Sequence, residues 1–218
     1  MATIKATNMK IVIFGPQGSG KGTQADILAE KLSIPHITMG DLLRLEVQSG
    51  SKLGKKIECF VNEGDLVPDE ITLDLLRLRL DQSDSRNGFI IDGYPRNLNQ
   101  AKLLEGLTKI DLALEIWISD EESVKRITGR RPCPVCGAVY HLEFNPPKQA
   151  GACDKCGGKL IIREDDREDV IKNRLCIYHQ QTEPLIDCYK RQGVHLKIDG
   201  MPLIAEVAKD IFAKLNLN

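Results

Sequence analysis

The chain has 218 residues, of which 42% are hydrophobic and 28% are charged, so it can form a packed core and does not have the composition of a disordered protein. Its 30 lysines and arginines balance 31 aspartates and glutamates, which argues against a general nucleic-acid or membrane-surface binder. No apolar run approaches the ~18 residues that cross a bilayer, and Met1 to Asn8 lacks the apolar core of a secretory signal, so we expect a cytoplasmic protein.

Short apolar runs alternate with segments of helical periodicity along most of the chain. The runs that predict strands are 10–14, 36–38, 89–92, 112–118 and 194–198. The segments that predict helices are 22–32, 42–48, 53–62, 70–80, 120–128, 203–215 and 167–191, the last with a break or bend near Pro184. Because strands that alternate with helices form parallel sheets covered on both faces, we predict an α/β fold with five parallel strands.

The first predicted strand ends at a glycine-rich loop, and a predicted helix follows it. The loop runs from Gly15 to Thr23 and reads Gly-Pro-Gln-Gly-Ser-Gly-Lys-Gly-Thr. Glycines let successive backbone N–H groups turn towards an anion, and the helix start adds partial positive charge. Since Lys21 is in register to reach the outer phosphates, the pattern indicates a nucleotide phosphate site and not an ordinary strand-to-helix turn.

Six arginines lie near turns or on the helices that follow them: Arg44, Arg96, Arg126, Arg130, Arg163 and Arg174. Arginine binds phosphate oxygens through paired hydrogen bonds, although each of these residues alone would be read as exposed or paired with a carboxylate. On a chain with a phosphate loop, the group indicates a site for two phosphate-bearing ligands. Phosphoryl transfer to a monophosphate needs no strong base, because that phosphate is mostly ionised at neutral pH.

The region 131–162 departs from the alternation and carries two Cys-x2-Cys pairs separated by sixteen residues. Its four cysteines are Cys133, Cys136, Cys153 and Cys156. This spacing is typical of structural zinc, with free thiols, disulfides or an iron centre as alternatives. Four thiolates fill the metal's shell, so we expect His141 to contact nucleotide or backbone. The remaining cysteines are expected to be ordinary reduced thiols, and they are Cys59, Cys176 and Cys188.

In the phosphate loop, Gly22 directly follows the lysine and Thr23 comes one position later. This arrangement resembles the loop of adenylate kinases and related nucleoside monophosphate kinases. Further segments resemble that family in the same order, namely 40–44, 64–70, 92–96 with Gln100, 126–131, 140–141, 145–147 and 163–166. The likeness runs from about Met9 to the end and is greatest with long-lid adenylate kinases that carry a metal in the lid. Two positions depart from it: Met39 replaces a usual threonine, and Gln17 stands where the loop often has proline.

The resemblance implies a fold of three parts. A P-loop kinase core would comprise residues 1–37, 68–129 and 168–218. A small helical insert at 38–67 would bind the nucleoside monophosphate, and a lid at 130–167 would be braced by zinc. We expect the lid to hinge near Gly129 and Arg167 and to exclude water when it closes. Zn²⁺ would be structural, whereas Mg²⁺ would accompany ATP and be oriented through water by Asp92.

The resemblance also implies site residues, position by position. ATP would be bound by Gly15, Gly18, Ser19, Gly20, Lys21, Gly22, Thr23, Arg126, Arg130 and Tyr140. AMP would be bound by Met39, Arg44, Asp65, Val67, Gly93, Arg96, Gln100, Arg163 and Arg174. The catalytic residues would be Lys21, Arg96, Arg130, Arg163 and Arg174. Asp165 and Asp166 would help close the lid, and both could also cap the helix that follows.

The function implied by the resemblance is that of an ATP:AMP phosphotransferase, which interconverts ATP plus AMP with two ADP and serves adenine nucleotide balance. We expect a monomer whose partners are these nucleotides, without nucleic acid or membrane. A kinase for UMP or CMP is the nearest alternative, because Met39 removes a hydroxyl from the acceptor-base pocket. A zinc-ribbon module for nucleic acid would explain the cysteines, but it leaves the phosphate loop unused and conflicts with the near-neutral charge.

Overall fold

A computed structural model describes residues 8–163 and 166–217 of the chain. None of the helices in this part of the chain combines the length and the hydrophobicity that crossing a bilayer requires. The strands of this part are β1 (Lys10–Phe14), β2 (His36–Thr38), β3 (Phe89–Asp92), β4 (Leu112–Trp117), β5 (Arg130–Pro132), β6 (Val139–His141) and β7 (His195–Asp199). Its α-helices are α1 (Lys21–Leu32), α2 (Met39–Gln48), α3 (Lys52–Glu63), α4 (Asp69–Leu80), α5 (Leu98–Leu107), α6 (Asp120–Thr128), α7 (Glu168–Ile177), α8 (Glu183–Arg191) and α9 (Ile204–Leu215).

Five of the strands form one parallel sheet in the order β2-β3-β1-β4-β7. The predicted α/β fold and its five-stranded parallel sheet are confirmed. The short strands β5 and β6 pair with each other in antiparallel fashion, away from that sheet.

Two apolar layers cover the two faces of the sheet. Val12 and Ile91 belong to one layer, and Ile11 and Ile90 belong to the other. Successive strand residues point to opposite faces, so the central strands are apolar on both sides, as a buried parallel sheet requires. This arrangement brings the carboxyl ends of β1 and β3 together, with Ile13 opposite Asp92. Ligands of open α/β sheets bind at that edge.

The sequence prediction missed one helix and correctly gave a break in another near Pro184. Helix α5 was not predicted; Asn97 caps it, and its side-chain oxygen accepts from the N–H of Gln100. The predicted stretch 167–191 is divided into α7 and α8 by a π-helical turn, Tyr178–Thr182. Pro184 is the second residue of α8, which directly follows this turn, so the predicted break near Pro184 is confirmed.

Candidate active site and metal centre

The phosphate loop joins the end of β1 to the start of α1. Gly15, Gly18 and Gly20 have φ angles of 147°, 78° and 83°, which L side chains rarely adopt. A Cβ at Gly15 would lie 2.3 Å from the carbonyl oxygen of Ile116, and one at Gly18 would lie 2.9 Å from that of Ser123. The loop therefore packs directly on β4 and α6. The free N–H groups at the start of α1 form the kind of site that binds phosphate.

Lys21 lies at the centre of a group of cations. Its ammonium donates to the carbonyl of Pro16 over 3.3 Å. Burial lowers the pKa of Lys21 to about 8, although the charge of Asp92 opposes the shift. Three further charges lower it, those of Arg174, Arg96 and Arg130. Lys21, Arg96 and Arg174 line one cleft. Because these charges repel each other, a polyanion such as nucleotide phosphates is the ligand that would stabilise them.

Asp92 ends β3 beside the phosphate loop and is buried. A Cβ at Gly22 would lie 3.4 Å from its Oδ2, and Nε2 of His36 lies 3.8 Å from the same oxygen. Burial raises the pKa of Asp92, but the nearby imidazole of His36 and the charge of Lys21 outweigh this effect and keep the pKa below its usual value. Ionised carboxylate and hydroxyl oxygens suit Mg²⁺, so Asp92 and Thr23 in the adjacent helical turn fit that ion.

Gly93, Arg96 and Gln100 lie together after β3. Nε of Arg96 donates to the carbonyl of Gly93 over 2.9 Å, and the backbone N–H of Arg96 donates to Oε1 of Gln100 over 2.7 Å. Nε2 of Gln100 donates to the carboxylate of Asp69 over 2.8 Å. Gln100 is only 2% exposed, so these two bonds set the orientation of its amide.

Met39 and Arg44 lie on α2, close to this group. Met39 is buried, and its Cβ is 3.8 Å from the place that a Cβ on Gly93 would occupy. Arg44 pairs with Asp41, and its guanidinium folds over Gly40. Met39 therefore adjoins Gly93 in the predicted acceptor segment.

The segment that precedes α4 adjoins α7. A Cβ at Gly64 would lie 2.8 Å from Cγ of Arg174, and the carboxylate of Asp65 accepts from Nδ2 of Asn173 over 2.9 Å. Val67 is buried in the core layer beside this segment. The predicted acceptor residues Asp65 and Val67 thus lie on a segment whose start adjoins Arg174.

Arg126 connects α6 to the loop after β7. Its Nε pairs with Glu122 over 2.7 Å, and its Nη atoms donate to the carbonyls of Gly200 and Met201 over 2.9 and 3.1 Å. The ring of Phe144 lies 5.2 Å from its guanidinium carbon. The sequence did not predict that Gly200 and Met201 adjoin Arg126, because no local pattern marks them.

Arg130 and Asp166 form an ion pair between the two ends of the predicted lid. Nε of Arg130 donates to Oδ2 of Asp166 over 3.0 Å, and a second guanidinium nitrogen donates to Oδ1. The carbonyl of Arg163 accepts from the N–H of Asp166 over 3.1 Å. Asp165 lies outside the described residues.

The four paired cysteines converge, and their Sγ atoms all lie within 4.8 Å of one another. Two sulfur–sulfur distances, Cys133 to Cys156 and Cys136 to Cys153, are 3.4 and 3.5 Å. Tetrahedral zinc at about 2.3 Å from each sulfur would separate the sulfurs by roughly 3.8 Å, so the four thiols fit that ion. The Cys133 and Cys153 side chains are buried, whereas Cys136 and Cys156 are exposed.

Two aromatic residues of β6 make contacts inside the lid. The hydroxyl of Tyr140, which we expected to contact ATP, is 3.5 Å from Sγ of Cys153 and accepts from the N–H of Asp154 over 2.8 Å. This hydroxyl lowers the pKa of the Cys153 thiol to about 6. Nδ1 of His141 accepts from the N–H groups of residues 143 and 144 over 3.0 and 3.1 Å, a backbone contact of the kind we expected.

Three residues that support the site were not among the predicted ones. They are Gln17, Asp69 and Thr182. Thr182 donates to the carbonyl of Arg96 over 2.8 Å from the π-helical turn. Asp69 is the first residue of α4, and nothing in the sequence links it to Gln100.

Comparison with known proteins agrees with this geometry. The family model described as adenylate kinase matches residues 13–194. The adenylate kinase of Agathobacter rectalis is 47% identical over 204 residues, which cover 91% of this chain and 95% of that protein. The adenylate kinase of Archaeoglobus fulgidus is 47% identical over 212 residues, with coverage of 95% and 98%. That of Streptomyces griseus is 46% identical over 205 residues, with coverage of 91% and 94%. The chain has this phosphate loop, cation cluster and thiol centre, and these adenylate kinases match it over nearly its whole length. It therefore belongs to the adenylate kinase family.

Proposed function

We propose that the cleft between the phosphate loop, β3 and α7 is the place where this enzyme carries out its reaction, the reversible transfer of a phosphoryl group from MgATP to AMP to give two ADP. One observation carries the assignment, namely that three cations, Lys21, Arg96 and Arg174, line one cleft. The charge of a fourth cation, Arg130, also acts on Lys21. A zinc-ribbon module for nucleic acid would explain the cysteines but would leave the phosphate loop unused, and the near-neutral net charge counts against it.

In the proposed reaction, an oxygen of the AMP phosphate forms a bond to the γ-phosphorus of ATP, and the bond from that phosphorus to the β-phosphate oxygen breaks. Both products are ADP, so atoms and charge balance. No general base is required, since the acceptor phosphate is mostly ionised at neutral pH. Lys21 and the arginines neutralise charge on the transferring group, and this positioning accounts for most of the catalysis expected in phosphoryl transfer.

We assign the donor side to the phosphate loop, Arg126 and Arg130. The acceptor side is assigned to Met39, Arg44, Asp65, Val67, Gly93, Arg96, Gln100, Arg163 and Arg174, with Arg163 and Arg174 also contacting the transferring group. Asp92 and Thr23 would hold Mg²⁺, which would supply positive charge to offset the negative charge of the donor phosphates. The assignment of Tyr140 to ATP receives no support from its contacts, which lie within the lid.

The division into three parts is also a proposal: a core of 1–37, 68–129 and 168–218, an acceptor insert of 38–67 and a lid of 130–167. The starts of β5 at Arg130 and of α7 at Glu168 support the lid limits, and the pair of short helices α2 and α3 supports the insert. We further propose a cytoplasmic monomer. The cysteines, free throughout the described part of the chain, suit a reducing compartment.

The test is ADP formation by the wild type with AMP, UMP and CMP, together with the variant Lys21→Met. We expect AMP to be used best, and we expect Lys21→Met to lose at least about a hundredfold in kcat, because a charge that acts in the transition state contributes roughly 3 kcal/mol. The melting temperature should not fall, since the buried ammonium is unfavourable to the fold. The control is Lys209→Met on the exposed face of α9. Near wild-type turnover in Lys21→Met would refute the assignment of the cleft.

A further inference from the structure

Gln17 connects the phosphate loop to two helices that flank the lid. Its side chain is buried, and Nε2 donates to the carbonyl of Ile171 in α7 over 2.8 Å, across 154 residues of chain. Its backbone carbonyl accepts from Oγ of Ser123 in α6, a residue with no exposed surface. One loop residue is thus bonded to the helix that leads into the lid and to the helix that leads out of it.

Apolar side chains pack beside these bonds, although Gln17 itself also lines the cleft. Ile127, Ile171 and Leu175 form a buried cluster between α6 and α7, with Val124 packed on it. A hydrogen bond in such a place cannot readily be replaced by one to water, so losing it leaves a buried carbonyl without that donor. The contact therefore fixes the distance between the loop and α7 more firmly than a surface bond would.

The position of α7 matters because Arg174 lies one turn after Ile171 on the same helix. Arg174 lines the cleft with Lys21, and the two positive charges repel each other. Lys21 is carried by the phosphate loop, and Arg174 is carried by α7. An uncharged bond between the two elements opposes this repulsion without adding charge to the cleft.

We propose that Gln17 is a positioning residue for phosphoryl transfer: its side-chain amide holds α7 against the phosphate loop and so sets the place of Arg174 relative to Lys21. The inference rests on the catalytic role proposed above for Arg174. Displacements of about 1 Å at a reacting centre can cost up to about a hundredfold in rate, so a supporting contact of this kind has a measurable effect.

A matched control is present in the same part of the fold. Gln24 in α1 is also buried, and its Nε2 donates to the carbonyl of Ile204 in α9 over 2.9 Å. Gln17→Met and Gln24→Met each remove one amide-to-carbonyl bond and keep the side-chain length. Only the first bond joins the phosphate loop to α7.

The experiment measures the melting temperature, kcat and both KM values of the two variants, alone and in an Arg174→Lys background. We expect similar losses in melting temperature. Gln17→Met should lower kcat by about tenfold with the KM for AMP within about twofold, while Gln24→Met keeps kcat within about twofold. In the Arg174→Lys background, Gln17→Met should cost less than about twofold, because two residues that act through one interaction are not additive.

Three results would overturn the inference. The first two are equal kcat values in the two methionine variants and a higher kcat in Gln17→Met than in Gln24→Met. The third is that Gln17→Met lowers kcat by the same factor in the wild-type and the Arg174→Lys backgrounds. Gln17→Pro, which places in the loop a residue often found there in the family, answers the same question if the methionine variant does not fold. An Arg174→Lys enzyme with unchanged kcat would instead refute the catalytic role of Arg174. It would also refute the proposal that Gln17 acts by positioning Arg174, while the activity of the chain would stand.

Discussion

The carboxylate of Asp69 binds the side-chain amide of Gln100 over 2.8 Å and thereby fixes which way that amide faces. Asn97 and Asn99 donate to the same carboxylate over 2.9 and 2.7 Å. Asp69 begins α4, whereas Gln100 lies in α5, so the contact joins the helix after the acceptor insert to the helix after β3. Burial raises the pKa of Asp69, but the three amide donors outweigh this effect and lower it, so the carboxylate is ionised at neutral pH.

Asp69→Asn should therefore impair use of the acceptor. An amide at this position replaces one acceptor oxygen by a donor, which cannot bind three amide donors as the carboxylate does. A bond to a charged group contributes about 1.5–3 kcal/mol, so we expect the KM for AMP to rise by about tenfold or more, with the KM for ATP within about twofold. Steady-state kinetics with each nucleotide varied gives the answer. Asp84→Asn, which removes a carboxylate that pairs with Arg79, is the control. Equal changes in both KM values would show that Asp69 only stabilises the fold.

Met39→Thr should change the preference among monophosphates. Met39 is 2% exposed and adjoins Gly93, so threonine there would add a hydroxyl beside the predicted acceptor site. One hydrogen bond contributes about 1 kcal/mol, so we expect about a fivefold change in the ratio of kcat/KM values for AMP and for UMP or CMP. Met9→Thr removes a similarly buried methionine just before β1 and controls for the loss of packing. An unchanged ratio in Met39→Thr would mean that Met39 serves packing alone.

Removal of Zn²⁺ should lower the melting temperature but leave activity wherever the lid still folds. Metal that binds only the folded lid stabilises it, and four thiolates leave no open position for a substrate. The double variant Cys153→Ser and Cys156→Ser should lose the zinc, whereas Cys59→Ser should keep one equivalent. Zinc content, melting curves and ADP formation are measured on each protein. A folded, zinc-free enzyme without activity would contradict a structural role.

The stability of the protein should depend on pH through His36. Nδ1 of His36 binds Asp26 over 2.7 Å. Burial lowers the pKa of His36, but the hydrogen bond to Asp26 and the nearby carboxylate of Asp92 outweigh this effect and raise it to about 9. An unfolded histidine titrates near 6.5, so the stabilisation is complete below about pH 6.5 and is lost as the pH rises to about 9. Between those values, the free energy of unfolding should fall by on the order of 2 kcal/mol more in the wild type than in His36→Gln. Parallel pH curves for the two proteins would exclude this pair as the cause.

The sequence was most informative where local pattern determines structure. The five strands of the sheet, the phosphate loop and the paired cysteines each depend on residues a few positions apart, and all are found as predicted. The family membership also follows from motifs of this kind. Helix α5 could have been found from its Asn97 cap and the spacing of Leu98, Ala101 and Leu104.

The rest of the site depends on contacts between distant parts of the chain. Gln17 is hydrogen-bonded to Ile171, which is 154 residues away in the sequence, and Asp69 is hydrogen-bonded to Gln100, which is 31 residues away. No helical or strand period marks such pairs, because tertiary packing alone brings them together. The strands β5 and β6 have three residues each, too few for an alternating pattern to show.

The ion pair between Arg130 and Asp166 joins the two ends of the segment that contains the thiol centre. The chain therefore leaves the rest of the molecule at Arg130 and returns to it at Asp166, directly beside the point where it left. Changes in the length of this segment alter the entropic cost of closing it only slowly, by about 0.6 kcal/mol for each doubling of its length. They leave the path of the rest of the chain unchanged. The metal-bearing segment can therefore be shortened, enlarged or exchanged while β4, α6 and α7 keep their positions.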